Sequence, residues 1–250
     1  MLIDIHNHVI PNVDDGPDSM ASALELIDLA MAHGISHVVA TPHIHSGRYE
    51  NNPINIAAGL IQLQTKLEAN GQKLILAAAS EARIDDSLIQ RILNKQVLYL
   101  GYWESKPALL LEFPTNHYPH GAIKLVTWLL KQGIQPIIAH PERHVFFRDE
   151  PVRLNKYLMQ GCLLQITAAS VLGEFGKEIA DFSYKLLQSD KVTFIASDAH
   201  NMAYRPFRLV QAQQFLQAQF SDVECQKWFY DNPHKLTQAL FAHPQKILVA

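Results

Sequence analysis

Two cysteines in 250 residues, Cys162 and Cys225, are too few and too far apart for a disulfide framework or a thiolate-rich zinc site. That scarcity fits a reducing compartment. No apolar run approaches the ~20 residues that a bilayer-spanning helix needs. Met1 leads straight into an apolar run without the basic and apolar regions of a secretory signal. A cytoplasmic protein with no membrane insertion is expected. Neither sign of charge dominates: Lys and Arg total 21, Asp and Glu 24, for a formal charge of −3. A global basic field for nucleic acid is therefore missing, although a local basic site is not excluded. Neither a GxGxxG nor a Walker sequence occurs, which removes the usual nucleotide cradles. Low-complexity runs and linkers are also lacking, so residues 1–250 read as one domain. With 48% hydrophobic residues the chain can bury a substantial core.

Histidine is what the chain has in abundance, with 13. The first two stand in Leu2-Ile3-Asp4-Ile5-His6-Asn7-His8. Residues two apart on a strand share a face, so His6 and His8 project together while Ile3 and Ile5 face a covering helix layer. Two imidazoles at that spacing can grip one metal ion, yet alone they equally suit a core histidine and a surface neighbour.

The rest of the chain alternates helical and strand-like stretches. Asp18 or Ser19 caps a helix to about His33, with Ala23, Leu26, Ile27 and Ala30 on one face, and Gly34 stops it. A buried strand, Ile35 to Ala40, follows and ends at Thr41-Pro42-His43. The module recurs as Ile123 to Gln132, Gly133 and Ile134 to Ala139, ending at His140-Pro141-Glu142-Arg143. It recurs again as Val152 to Gln160, Gly161 and Cys162 to Thr167. A fourth copy, Ile179 to Gln188 then Val192 to Ala196, ends at Ser197-Asp198-Ala199-His200. Leu74 to Ala79 ends at Glu81 and Ala108 to Leu111 at Glu112, while Ile54 to Asn70 and Arg208 to Gln219 have helical spacing. Asp231-Asn232-Pro233 reads as the cap of a last helix, His234 to Ala242. About seven βα units with continuously apolar strands indicate a parallel sheet covered on both faces. An open doubly wound sheet is the rival to a barrel.

Every strand but Cys162 to Thr167 finishes in a side chain able to bind metal. Strand ends of a barrel converge on one rim, whereas an open sheet spreads them along an edge, so the distribution favours closure. His6, His8, His43, His140 and His200 with Glu81, Glu112, Asp198 and one of Asp14 or Asp15 make nine candidate ligands. One ion rarely takes more than six donors, so nine imply two or three, with carboxylates bridging. Imidazole and carboxylate donors without thiolate suit manganese, iron or zinc. Such ions leave the pocket net positive, which complements a phosphate ester. Arg143 and Arg205 offer planar forks to phosphate oxygens, unless they are surface ion pairs. Asp4 is expected to orient an imidazole, and Glu142 to be solvated or in support of the ligands. His117 and His120 face the expected rim. His33 and His37 read as structural, His144, His234 and His243 as surface residues, and the aromatic stretch Tyr204-Arg205-Pro206-Phe207 either stacks on a substrate ring or packs on the rim.

The ordered set of His-x-His, Asp-Asp-Gly, Thr-Pro-His, isolated Glu, Glu-Phe, Ala-His-Pro-Glu-Arg and Ser-Asp-Ala-His resembles the PHP (polymerase and histidinol phosphatase) superfamily. Within it, the chain resembles the bacterial manganese-dependent protein-tyrosine phosphatases of capsule and exopolysaccharide operons, from Ile3 to about Pro233. The resemblance implies an α/β fold, a distorted (β/α)7 TIM-like barrel of the PHP type, with three divalent metal ions, manganese first and iron or zinc as alternatives. It implies as metal ligands His6, His8, Asp15, His43, Glu81, Glu112, His140, Asp198 and His200, and as phosphate-binding residues Arg143 and Arg205. The implied partner is the phosphotyrosine tail of a bacterial tyrosine kinase that regulates polysaccharide export. His45 and Arg48 depart from the family pattern around His43.

No Cys-x5-Arg run exists, so phosphotyrosine hydrolysis through a thiolate is excluded. Metal-assisted phosphomonoester hydrolysis is expected instead. A small-molecule phosphatase such as histidinol-phosphate phosphatase, a phosphodiesterase of the same superfamily and a metal-stabilised scaffold are the alternatives.

Overall fold

A computed structural model describes residues 2–115 and 117–244. Its strands are β1 (Leu2–Asp4), β2 (Ile35–Ala40), β3 (His43–Ile44), β4 (Ile75–Ala78), β5 (Glu81–Arg83), β6 (Tyr102–Trp103), β7 (Lys106–Glu112), β8 (Gln135–Ala139), β9 (Leu163–Thr167) and β10 (Phe194–Ala196). The helices are α1 (Met20–Ala32), α2 (Pro53–Ala69), α3 (Leu88–Leu93), α4 (Ala122–Lys131), α5 (Val145–Asp149), α6 (Pro151–Leu158), α7 (Ala168–Val171), α8 (Lys177–Gln188), α9 (Leu209–Gln217), α10 (Asp222–Gln226) and α11 (Asn232–Ala242).

The expected helix starts and stops have local causes. Ser19 caps α1 by accepting a hydrogen bond from the Ser22 amide, and α1 buries Ala23, Leu26, Ile27 and Ala30. After α1 and α4 the chain must reverse into a strand, and Gly34 and Gly133 do so at φ 78° and 74°.

The strands pair as a three-stranded group, β1-β2-β4, and a seven-stranded group, β10-β9-β8-β7-β5-β3, in which only β6 is antiparallel, to β7. The groups share chain: β2 runs on through Thr41 and Pro42 into β3, and β4 through Ala79 and Ser80 into β5. Across these joints the Ala79 amide donates to Ala40 O at 2.8 Å and the Glu81 amide to Pro42 O at 3.1 Å. At the other edge Asn7 forms a parallel bridge with Ala199, the His8 amide donates to Ala199 O at 2.8 Å, and the Asp198 amide donates to His6 O at 2.7 Å. These bonds tie the extension of β1 to that of β10.

Two groups of buried apolar side chains follow from the alternation of strand faces. The larger lies between strands and helices, with Leu26, Leu63, Leu109, Ile138 and Trp228 among its members. The smaller collects Ile3, Ile5, Val39, Ala77, Leu110, Ile137 and Phe194 with Leu236 and Leu240 of α11. The expected helix layer over Ile3 and Ile5 is thus corrected: their neighbours are mainly the same-facing residues of other strands, with one helix over them. The expected cap at Asp231 is corrected too, because the chain is already helical from Asp222, and a wider turn at Lys227–Asp231 joins α10 to α11.

Candidate metal centre

The β1 strand ends at Asp4, so His6 and His8 lie in its extension, while Asp15 lies in the loop before α1. His43 opens β3, Glu81 opens β5 and Glu112 closes β7; His140 follows β8, and Asp198 and His200 follow β10. All nine meet in four overlapping groups, each with donor atoms within 4.8 Å of one another: His8, Asp15, His43 and His200; His6, His8 and Glu81; His6, His140 and Asp198; His43, Glu81 and Glu112. Glu81 Oε2 lies 3.2 Å from His6 Nε2, 3.3 Å from His8 Nε2 and 3.0 Å from His43 Nδ1, which puts this carboxylate between groups. Asp198 Oδ1 stands 3.3 Å from His6 Nε2 and 3.5 Å from His8 Nε2.

The decisive feature is which atoms lack a partner. His6 Nε2, His8 Nε2, His43 Nδ1, Glu81 Oε2, Glu112 Oε2, His140 Nδ1, Asp198 Oδ1 and His200 Nε2 are buried without a hydrogen bond of acceptable geometry. Buried polar groups are normally satisfied, and leaving one unpaired costs roughly 1–3 kcal/mol. All eight atoms belong to side chains of the four overlapping groups, so the lack of partners is a property of the cluster. Divalent cations fit it, and hard or borderline ones best, since the donors are nitrogen and oxygen. Backbone strain accompanies the donors: His140 and Asp198, each just past a strand end, adopt φ of 33° and 54°.

Outer partners orient the rings. Gln165 Oε1 lies 2.7 Å from His6 Nδ1, and Asp14 Oδ2 lies 2.6 Å from His8 Nδ1. Asp14 also accepts from the His43 amide at 2.9 Å and the Gly16 amide at 3.0 Å. This separates the adjacent aspartates: Asp14 supports, and Asp15 reaches His43 Nε2 and His200 Nε2, each at 3.4 Å. Sequence reasoning missed Gln165, a neutral amide inside a strand, and Arg83, which pairs with Glu112 Oε1 at 2.9 Å. It had, however, singled out β9 as lacking a ligand.

Other expectations need correction. Among the described residues Asp4 hydrogen-bonds to no imidazole; it accepts from the Ser197 amide at 2.8 Å, the Ser197 hydroxyl at 2.6 Å and Asn7 Nδ2 at 3.0 Å, tying β1 to β10. Glu142 is fully buried rather than solvated, and accepts from the Thr167 amide at 2.9 Å and Ser170 Oγ at 2.7 Å. His144 is buried as well, stacked on Phe146 with ring centroids 5.2 Å apart. In the stretch Tyr204-Arg205-Pro206-Phe207 the two aromatics part ways: Phe207 is buried in the larger core, and Tyr204 is 85% exposed.

Arg143 and Arg205 both reach Asp198 Oδ2 and line, with Arg48 and Tyr49, the pocket of about 210 Å³ over the cluster. Tyr49 lies parallel to the His43 ring at 5.4 Å. Burial would raise the carboxyl pKa of Asp198, but Arg205, His6 and Arg143 outweigh it and hold it well below the usual range. Burial likewise opposes ionisation of Glu81, and His6 and His43 reverse that. Glu112 goes the other way, raised by burial and by the charge of Glu81. Burial disfavours protonation of His43, yet Glu81 lifts it to about 10; burial and Arg143 depress His140 to about 4.

Parallel strands ending in a buried His and carboxylate cluster that could hold metal, overlaid by arginines, define the class: an α/β protein with a candidate metal centre at its strand ends. The chain belongs to the CpsB/CapC capsular polysaccharide synthesis family, whose model matches residues 2–238. It is 39% identical to CapC of Staphylococcus aureus over 225 residues, 89% of this chain and 87% of that one. It is 35% identical to the tyrosine-protein phosphatase YwqE of Bacillus subtilis over 219 residues, 88% and 85% of the two chains. A solved structure from a study of YwqE and of CpsB from Streptococcus pneumoniae, both described as metal-dependent tyrosine phosphatases, matches with a TM-score of 0.84 at 33% identity. It covers 100% of this chain and 97% of that one.

Proposed function

We propose that the chain is a metal-dependent protein-tyrosine phosphatase of capsule or exopolysaccharide synthesis. Its substrate in this reading is the phosphotyrosine tail of a bacterial tyrosine kinase. The observation that carries the reading is the set of eight buried, unpartnered donor atoms beneath two arginines. Family membership and the names of the relatives support it.

The ligand set is His6, His8, Asp15, His43, Glu81, Glu112, His140, Asp198 and His200, enough for three divalent ions, with manganese preferred over iron or zinc. When bound, such ions supply Lewis acidity that activates water and offsets charge on phosphoryl oxygens. The protein's own part is positional. Arg143 and Arg205 hold nonbridging oxygens and offset the charge gained in the transition state. Gln165 and Asp14 fix the rings of His6 and His8 so that their Nε2 atoms face the centre. Complete burial of His6, His8 and Glu81 keeps bulk water away from them. A phenolate leaving group, with a pKa of about 10, needs no strong general acid.

The reading extends to the architecture. Residues 1–250 form one domain, and the strands close as a distorted (β/α)7 barrel of the PHP type. The Asn7–Ala199 bridge and the continuity of β2 with β3 and of β4 with β5 support closure. Among the described residues no helix is long and apolar enough to cross a membrane. A cytoplasmic setting accords with Cys162 and Cys225, both unpaired and buried.

Stripping the metal with a chelator and assaying a phosphotyrosine peptide tests the reading. Activity should vanish and return with manganese. Undiminished activity overturns it, and a large kcat/KM preference for histidinol phosphate overturns the choice of substrate.

A further inference from the structure

Beside the metal pocket runs a second hollow that the hydrolytic reading does not use. It encloses about 660 Å³ against about 210 Å³ for the metal pocket, and the two share His45 and Arg83 as a common wall. Its volume is that of a typical ligand site. The floor is apolar: Ile84 and Leu125 are buried there, and Trp128 of α4 and Ile89 of α3 line it. Ile89 is 40% exposed, an apolar side chain left in water beside a functional pocket.

The charged groups in the hollow are already engaged or peripheral. Arg83 pairs with Glu112 on the side of the metal cluster. Asp85 accepts from the Ser87 amide at 2.8 Å and the Ser46 amide at 3.3 Å, so it braces its own loop. Lys124 and Asp86 stand exposed at the edge. His117 and His120 also line the hollow, with His45 on the shared wall, so what is offered to a ligand is an apolar floor edged by imidazoles and joined directly to the phosphate-binding end.

We propose that this groove is a substrate subsite that takes a bulky apolar or aromatic side chain flanking the phosphotyrosine. The assignment rests on the phosphatase reading. A phosphotyrosine whose phosphate sits over the cluster is continuous with its peptide, and the peptide must leave the pocket past one of its walls. At the wall formed by His45 and Arg83 it meets Ile84, Ile89, Leu125 and Trp128. Burying a large apolar side chain there favours that peptide over one with small polar neighbours, a discrimination of ten- to a hundredfold in scale. A substrate that fills only the metal pocket gains nothing from the groove.

The test uses the metal-loaded full chain with three substrates: p-nitrophenyl phosphate, a phosphotyrosine peptide flanked by Leu and Tyr, and one flanked by Ser and Gly. The parent should prefer the apolar peptide by roughly tenfold in kcat/KM, mostly through KM. Trp128→Ala should abolish that preference and leave p-nitrophenyl phosphate hydrolysis unchanged. Ile89→Ser, at an exposed position with little bearing on folding, should reduce the preference in the same direction. A parent without preference, or variants that lose all three activities equally, overturns the subsite alone. A parent that hydrolyses none of the three overturns the phosphatase reading and the subsite with it.

Discussion

Gln165 Oε1 sits 2.7 Å from Nδ1 of His6, both side chains fully buried. A carbonyl oxygen only accepts, so Nδ1 of His6 must donate, and the lone pair of the neutral ring is then on Nε2. That atom faces Glu81 and Asp198. The bond therefore sets the tautomer that a metal requires. Gln165→Leu keeps the volume and removes the acceptor. Metal affinity should fall about 10–100-fold with the fold intact, as measured by titration calorimetry and circular dichroism. An unchanged affinity would reduce Gln165 to packing.

What could be read from the sequence depended on whether a residue's role was local. Eight of the nine clustered side chains were legible because each is an ionisable residue at or just past an apolar strand, and strand ends are visible in one dimension; Asp15, in the loop before α1, has no such signal. Gln165 was not, since its importance arises only when the fold brings its side chain, on β9, to that of His6 in the extension of β1, with β10 between the two strands and 159 residues of chain separating them. His144 read as a surface residue for the same reason: Phe113, which helps to bury it, comes from the end of β7. Asp14 and Asp15 are equivalent in composition and position, and only the turn at Gly16 sends one to His8 and the other to His43 and His200. The start of α11 was misread because Asp-Asn-Pro is a capping sequence in isolation. Here the preceding turn is already helical.

Arg143 and Arg205 both contact one oxygen of Asp198, so each is either a counterion for a buried carboxylate or a holder of substrate phosphate. The proposed function requires the second. Arg143→Ala and Arg205→Ala should each lower kcat/KM on a phosphotyrosine peptide by ~10²–10³, the scale of losing one preorganised oxyanion partner. Metal content, measured by elemental analysis, should stay at the parent's level. Activity within twofold of the parent would assign both arginines to charge balance alone.

Cys162 and Cys225 are buried, and burial pushes the Cys162 thiol up to about 12 and raises that of Cys225. A thiol must ionise to react, so neither should be labelled by iodoacetamide in the native protein at pH 7.5. Both should react in guanidinium. Mass spectrometry of the native and denatured samples reads this directly, and rapid native labelling of Cys162 would contradict its burial just before β9.

Asp4 carries a test of how β1 is held to β10. It accepts three hydrogen bonds, from the Ser197 amide and hydroxyl and from Asn7, which favour its ionised form. Burial is the larger effect and pushes its carboxyl up to about 6 from 3.8. With the folded value above the unfolded one, the native state holds the proton more tightly. The associated stability is full below pH 3.8, falls as pH rises through 6, and amounts to about 3 kcal/mol. Asp4→Asn removes the titration and keeps the shape. Denaturant midpoints of the metal-free proteins should show the parent losing stability relative to the variant between pH 4 and pH 7, because all other groups titrate alike in both. A difference independent of pH would mean that Asp4 remains ionised throughout, and that the Ser197 and Asn7 bonds, not burial, govern the charge at this joint.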